Sequence, residues 1–410
     1  MRNRNPAFSS AEMNFFRAAL MLAALCGAML HAQTFTVLHV FTGGGDGASP
    51  LSGLTPDRGG NLYGTTYSGG TNSAGTVYKL ARGGSGWLLS PLYEFSAGNG
   101  GGANPDGGVV FGPDGSLYGT TTQGGGSGFY GVVFRLQPPA TACKTALCLW
   151  TETVIYRFTS GGDGRQPTGN LIFDSFGNIY GTTQAGGAFG YGSVFKLTRS
   201  GGSWSESILY SFTSGDDGNQ PSDGVVMDSA GNLYGTTPYG GIDNCQQSCG
   251  IVFELSPSGG GWNETVLYRF QGTPDGQRPY AGLTFDSAGN LFGATYEGGN
   301  GGGAVFELSR SGGSWQYSLI NSLSGTNNGP YASPTLDASD NVYETTVVPS
   351  MIFQLTPDGG GWTFSNLYNF SGNDGSLPRG PVLLDSQGNL YGTASTGGAD
   401  GSGTIWELTP

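Results

Sequence analysis

The chain has 410 residues, 78 of them glycine, with 12% aromatic and only 11% charged residues and a formal net charge of −13. So acidic a chain repels phosphate backbones, and no basic cluster offers an anionic membrane a footing, so nucleic acid and lipid surfaces drop out as expected partners. Abundant glycine alongside so many aromatics excludes a disordered chain and fits short strands joined by tight turns.

In chain order, Arg2, Arg4 and Arg17 come first, then an apolar run from Ala18 to Leu30, then the small residue Ala32 before Gln33. That order predicts a secretory signal peptide over residues 1–32 and a secreted or extracytoplasmic protein. The run is short for a membrane span, so none is expected once the signal is removed. Cys26 follows Leu25, where a lipid-anchor signal would place a small residue, so no lipid anchor is expected. Residues 33–410 read as one domain.

The next segment, Thr34 to Phe41, reads as a strand with no partner nearby. After it, one phrase recurs seven times, with its aromatic at Tyr63, Tyr118, Tyr180, Tyr234, Phe292, Tyr343 and Tyr391. An apolar run ending in Asp precedes it, at Asp57, Asp114, Asp174, Asp228, Asp286, Asp337 and Asp385. A Gly-Gly loop, a Val-Phe-Lys-Leu-like phrase, and a Trp followed by Leu-Tyr-x-Phe come after. Each phrase suits a strand, and Asp-x-x-Gly-Asn between the first two suits a hairpin turn. Every copy is therefore a four-stranded antiparallel meander, with strands a to d.

The sixth copy is degenerate, with Leu323 for the strand-d Phe, Glu344 after the strand-b Tyr, and Val347 to Ser350 for the Gly-Gly loop. The seventh stops after strand c, at Ile405 to Leu408. One missing strand at the end and one surplus strand at the start predict a ring closed by residues 34–41. The expected fold is all-β, a seven-bladed β-propeller that buries both faces of each sheet and leaves no free edge.

These phrases resemble the Gloeo/Verruco (GloVer) tandem repeat of exported bacterial proteins. The matching text includes Asp-Ser-Ala-Gly-Asn-Leu-Tyr-Gly-Thr-Thr at 228–237, Gly-Gly at 240–241, Val-Phe-Glu-Leu at 252–255 and Leu-Tyr-Arg-Phe at 267–270. The resemblance covers nearly all of residues 34–410. It implies a propeller and export, and no established reaction.

In such a meander the d–a and b–c loops share one face, here called top. The d–a loops carry Asp-Gly-x-x-Pro at Asp46, Asp163, Asp217, Asp275 and Asp374. Turn chemistry explains Asp, Gly and Pro together. The functional reading is a top-rim ring of carboxylates for calcium, a cationic ligand or sugar hydroxyls, though calcium wants six to eight oxygens converging on one point. The b–c loop tyrosines Tyr67, Tyr239 and Tyr296, with Tyr130, are the expected stacking residues for a ligand. No other cofactor is indicated.

His39 is the one histidine after the signal and has no triad partner nearby in the sequence, so Ser-His-Asp catalysis finds no support. Cys143 and Cys148 fall in a c–d loop, and Cys245 and Cys249 in a b–c loop. These are opposite faces, so two local disulfides are expected. The resulting expectation is a monomeric binding or scaffold module that contacts a polysaccharide, peptide or surface protein through its top face. A metal-dependent lyase or hydrolase with its site at the central channel is the alternative. It would draw ligands from inner strands that read as apolar, such as Gly-Val-Val-Met.

Overall fold

Each Asp-x-x-Gly-Asn segment folds as a tight hairpin for a reason visible in its hydrogen bonds. Asp228 Oδ1 accepts the N–H groups of Ala230 and Asn232, while Oδ2 accepts Asn232 Nδ2 and the Tyr234 hydroxyl. Gly231 supplies the left-handed corner at φ +85°. The same four donors serve Asp57, Asp174, Asp337 and Asp385 in their own hairpins.

The computed structural model of the chain describes residues 33–84, 86–139, 149–241, 249–325 and 328–410. The expected signal segment and Cys143, Cys148 and Cys245 lie outside the described residues. Seven four-stranded antiparallel sheets are present, with strand order a-b-c-d in each, so the chain is a seven-bladed β-propeller. In blade four the strands are Val226–Met227, Leu233–Thr237, Ile251–Ser258 and Gly261–Arg269. Strand b is buried along its whole length, whereas strand d alternates between exposed and half-buried residues. Neighbouring blades cover both faces of the inner sheet, and only the outermost strand meets water on one side. Among the described residues no helix is long and apolar enough to cross a membrane.

The first strand, Thr34–Val40, completes blade seven. It pairs with Thr404–Thr409 from Thr34 opposite Thr409 to Val40 opposite Thr404. The orphan strand and the truncated last repeat are therefore two halves of one sheet.

Two contacts join the blades. The Phe that ends each strand d packs against the strand-c aromatic of the next blade, as in Phe95–Phe134, Phe158–Phe195, Phe212–Phe253 and Phe270–Phe306, with ring centroids 5.1–5.3 Å apart. Phe41–Tyr78 and Phe370–Trp406 continue the pattern through the closing blade. Leu323 breaks it. The structure places Leu323 in strand d of blade five, where it packs with Phe353 of blade six. It is thus the last residue of copy five's core, and the degeneracy of copy six begins after it.

The second contact comes from the Thr pair ending strand b. In four blades the first Thr donates to an inner-strand carbonyl of the next blade: Thr65 to Gly107, Thr182 to Asp223, Thr236 to Ala281, and Thr393 to Ser52 across the closure. The second caps its own b–c loop, as Thr237 does on the Tyr239 carbonyl. Where these bonds form, Thr serves through its hydroxyl as well as its β-branched shape.

Candidate functional site

The repeated d–a aspartates are engaged by their own turns. Asp217 accepts the Thr213 amide at 2.9 Å, the Thr213 hydroxyl at 2.6 Å and the Tyr210 hydroxyl at 2.9 Å. Asp163 is held in the same way by Thr159 and Tyr156. Asp275 takes Tyr268 and the Gln271 amide, and Asp374 takes Tyr368 and the Ser371 amide. At Asp46 the Tyr position is His39, whose Nε2 lies 3.1 Å from the carboxylate. His39 thus stands in for a structural tyrosine. Among the described residues, no three His, Cys, Asp or Glu side chains form a group able to hold a metal ion.

The next residues of the same loops behave differently. Ser49, Asn104, Gln166, Gln220, Arg278 and Leu377 each adopt a left-handed conformation, with φ between +53° and +57°, immediately before a proline. Such a conformation costs about 1 kcal/mol or more for a residue with a side chain. An interblade hydrogen bond helps offset it, as from the Arg278 amide to the Cys249 carbonyl at 2.9 Å. The turn delivers the following residues to the top mouth of the central channel.

There the repeat stops repeating. The residue after the proline is Leu51, Asp106, Thr168, Ser222, Tyr280, Tyr331 or Arg379, depending on the blade. Six of these, all but Thr168, line one small cavity of about 70 Å³ together with Asn170 and Asp223. Glycine lets the inner strands crowd together around it. A side chain at Gly107 would meet the Gly169 carbonyl oxygen at 2.2 Å, and one at Gly380 would meet the Ser52 backbone at 2.3 Å.

The charges at the mouth are unevenly satisfied. Asp223 accepts the amides of Gly224 and Gly282 and the Ser333 hydroxyl, at 2.7–3.0 Å, and so bridges blades four, five and six. Burial, reinforced by the charge of Asp223, pushes the Asp106 carboxyl up to about 6, with Arg379 acting in the opposite sense. Arg379 lies over the Tyr331 ring, 5.2 Å from its centroid, and its Nε is shut off from water without a hydrogen-bond acceptor among the described residues.

Tyrosines wall the opposite side. Tyr280 and Tyr331 stack at 5.1 Å, and Tyr296 meets both edge-on. The Tyr239 and Tyr280 hydroxyls are 2.7 Å apart. Two of the tyrosines expected from the sequence, Tyr239 and Tyr296, thus contact the tyrosines of the mouth without lining the cavity themselves. Tyr67 engages through its backbone, and Tyr130 packs against the core between blades two and three. Asn170, Asp223, Tyr280, Tyr331 and Arg379 escaped the sequence reading, and Asp106 entered it only as the altered acid of the second copy. Their signal was present: within an otherwise regular repeat, this is the position where each blade carries its own residue.

Fold and mouth together define a repeat-built seven-bladed propeller with a polar, asymmetric channel entrance. The chain belongs to the Gloeobacter/Verrucomicrobia repeat family, whose model matches residues 27–153 and 144–347. Among solved structures it is similar to virginiamycin B lyase from Staphylococcus aureus, with a TM-score of 0.57 and 16% identity over 92% of this chain and 99% of that one. It is also similar to a putative 6-phosphogluconolactonase from Bacteroides uniformis, with a TM-score of 0.51 and 16% identity over 84% and 89% of the two chains. Identity this low speaks for a shared fold alone. No curated protein matches the sequence.

Proposed function

We propose that this propeller is an exported binding module whose top face receives its ligand at the channel mouth, as a contact to a polysaccharide, peptide or surface protein. The observation that carries the reading is the blade-specific set Asp106, Tyr280, Tyr331 and Arg379, gathered on one cavity by a turn that is otherwise the same in nearly every blade. A residue kept for folding should follow the repeat, whereas a recognition residue is free to differ. The alternative, a metal-dependent lyase or hydrolase at the channel, needs several ligating side chains around one point, and the described residues offer no such group. The test is a binding screen of glycans and peptides against the protein and its Asp106→Asn/Arg379→Gln double variant. Hits lost in the variant support the mouth as the site; hits that survive unchanged place binding elsewhere and defeat the proposal.

A further inference from the structure

Resting on that reading of the mouth, the chemistry of its walls narrows the ligand. Asp106 and Arg379 line the same cavity and feel each other's charge, yet they form no ion pair. No protein donor among the described residues reaches the Asp106 carboxylate, and no acceptor reaches Arg379 Nε. Two opposite charges thus face one space, each with hydrogen-bonding capacity unused by the protein.

A simple anion answers Arg379 but meets the negative charges of Asp106 and of Asp223, whose carboxylate is already fixed by its three donors. A simple cation answers Asp106 but leaves Arg379 Nε without an acceptor. A sugar ring supplies hydroxyls but no charge for either wall, and the Tyr331 ring that lines the cavity is already engaged. Tyr331 has Arg379 against it and Tyr280 stacked on it, while Tyr239 and Tyr296 meet Tyr280 edge-on. A group carrying an ammonium and a carboxylate side by side answers both walls at once. It also suits a cavity of about 70 Å³, which has room for the head group and none for a long side chain.

The geometry points to a site for the zwitterionic head group of an α-amino acid, with its ammonium on Asp106, its carboxylate on Arg379 and its side chain directed outward to solvent. Charge-assisted bonds to a guanidinium fork and to a carboxylate are the strong, directional kind. Because the side chain lies outside, recognition is general for α-amino acids, glycine and L-alanine being the simplest probes.

Isothermal titration of the purified protein with glycine, L-alanine, ethylamine, acetate and glucose tests this. Glycine and L-alanine should bind, with ethylamine and acetate at least tenfold weaker. Asp106→Asn and Arg379→Lys should each weaken glycine at least tenfold while the melting temperature holds within a few degrees, which separates lost recognition from misfolding. Acetate binding as tightly as glycine would reduce the site to an anion site and overturn the assignment. Glucose binding with glycine silent would also overturn it, while leaving top-face binding intact. If every probe is silent and screen hits are indifferent to both variants, the assignment and the broader reading of the mouth fall together.

Discussion

Two sets of aspartates sit at opposite ends of the same blades and have opposite characters. At the a–b hairpins, one Asp per blade repeats around the ring, and in five blades it meets the same four donors. Burial would raise these carboxyls, but the hydrogen bonds outweigh it and hold Asp57, Asp174, Asp228, Asp337 and Asp385 below the usual carboxylate range. At the channel mouth, Asp106 belongs to one blade, lacks a protein donor among the described residues and is pushed up to about 6. The comparison separates what a repeat does for folding from what a single blade leaves unsatisfied. The hairpin aspartates are satisfied by their own turns, whereas Asp106 is left to meet something else.

The largest expected effect falls on the ring itself. Deleting residues 34–41 strips strand d from blade seven and exposes the edge of strand c, so the product should lose its cooperative thermal transition and run as aggregate on size exclusion. A repeated core contact comes next. Phe212→Ala empties the space against Phe253 and should cost about 3–5 kcal/mol in urea unfolding.

The aspartate comparison is sharpened by a matched pair of variants. Asp228→Ala removes a carboxylate that holds four donors and should cost about 2 kcal/mol. Asp106→Asn removes a buried charge that holds none and should leave stability within about 0.5 kcal/mol of the parent, or raise it. Equal losses in the two would erase the distinction between the sets.

A smaller effect concerns pH. Burial, with Asp163 and Asp217 respectively as nearby negative charges, pushes Glu206 and Glu264 up to about 7. Because the folded protein then holds protons that the unfolded chain releases above about 4.5, stability should fall as pH rises from about 4.5 to 7. The hairpin aspartates work the other way. Held below the ordinary carboxylate value of 3.8, they stabilise the fold above it and lose that contribution as pH drops further. The melting temperature should therefore peak near pH 4.5 to 5, and Glu206→Gln with Glu264→Gln should flatten the neutral side of the curve. Last, EDTA or calcium should move the melting temperature by less than about 1 °C, since the d–a carboxylates are engaged in their turns. A clear calcium-dependent shift would return the rim aspartates to the candidate site.

The fold was legible because repetition multiplies weak local signals. A single Asp-x-x-Gly-Asn is a turn among many, but seven in step with four strand phrases specify a meander, and the mismatch between residues 34–41 and the truncated last copy specifies closure. Leu323 was misassigned by one copy because strand d and the following strand a are adjacent in sequence but belong to different sheets. The site was less legible for a related reason. The inner strands read as apolar from Gly224 or Gly282 onward, and the polar residues that face the channel, Ser222 and Asp223 among them, come just before. Reading for what recurs passes over a position defined by not recurring. Tyr239 and Tyr296 drew attention because aromatic loop residues stand out individually. Arg379 did not, since its surroundings depend on which blades stand beside it, and Asp106 stood out only as a departure from the rim series.

The pairing of Thr34 with Thr409 also sets an order of events during biosynthesis. Residues 34–40 are made long before residues 404–409, so throughout translation the growing chain holds an unmatched ribbon and an open seam. Contacts this remote along the polypeptide form late and slowly, and the final act of maturation is a latch closing between its two extremities.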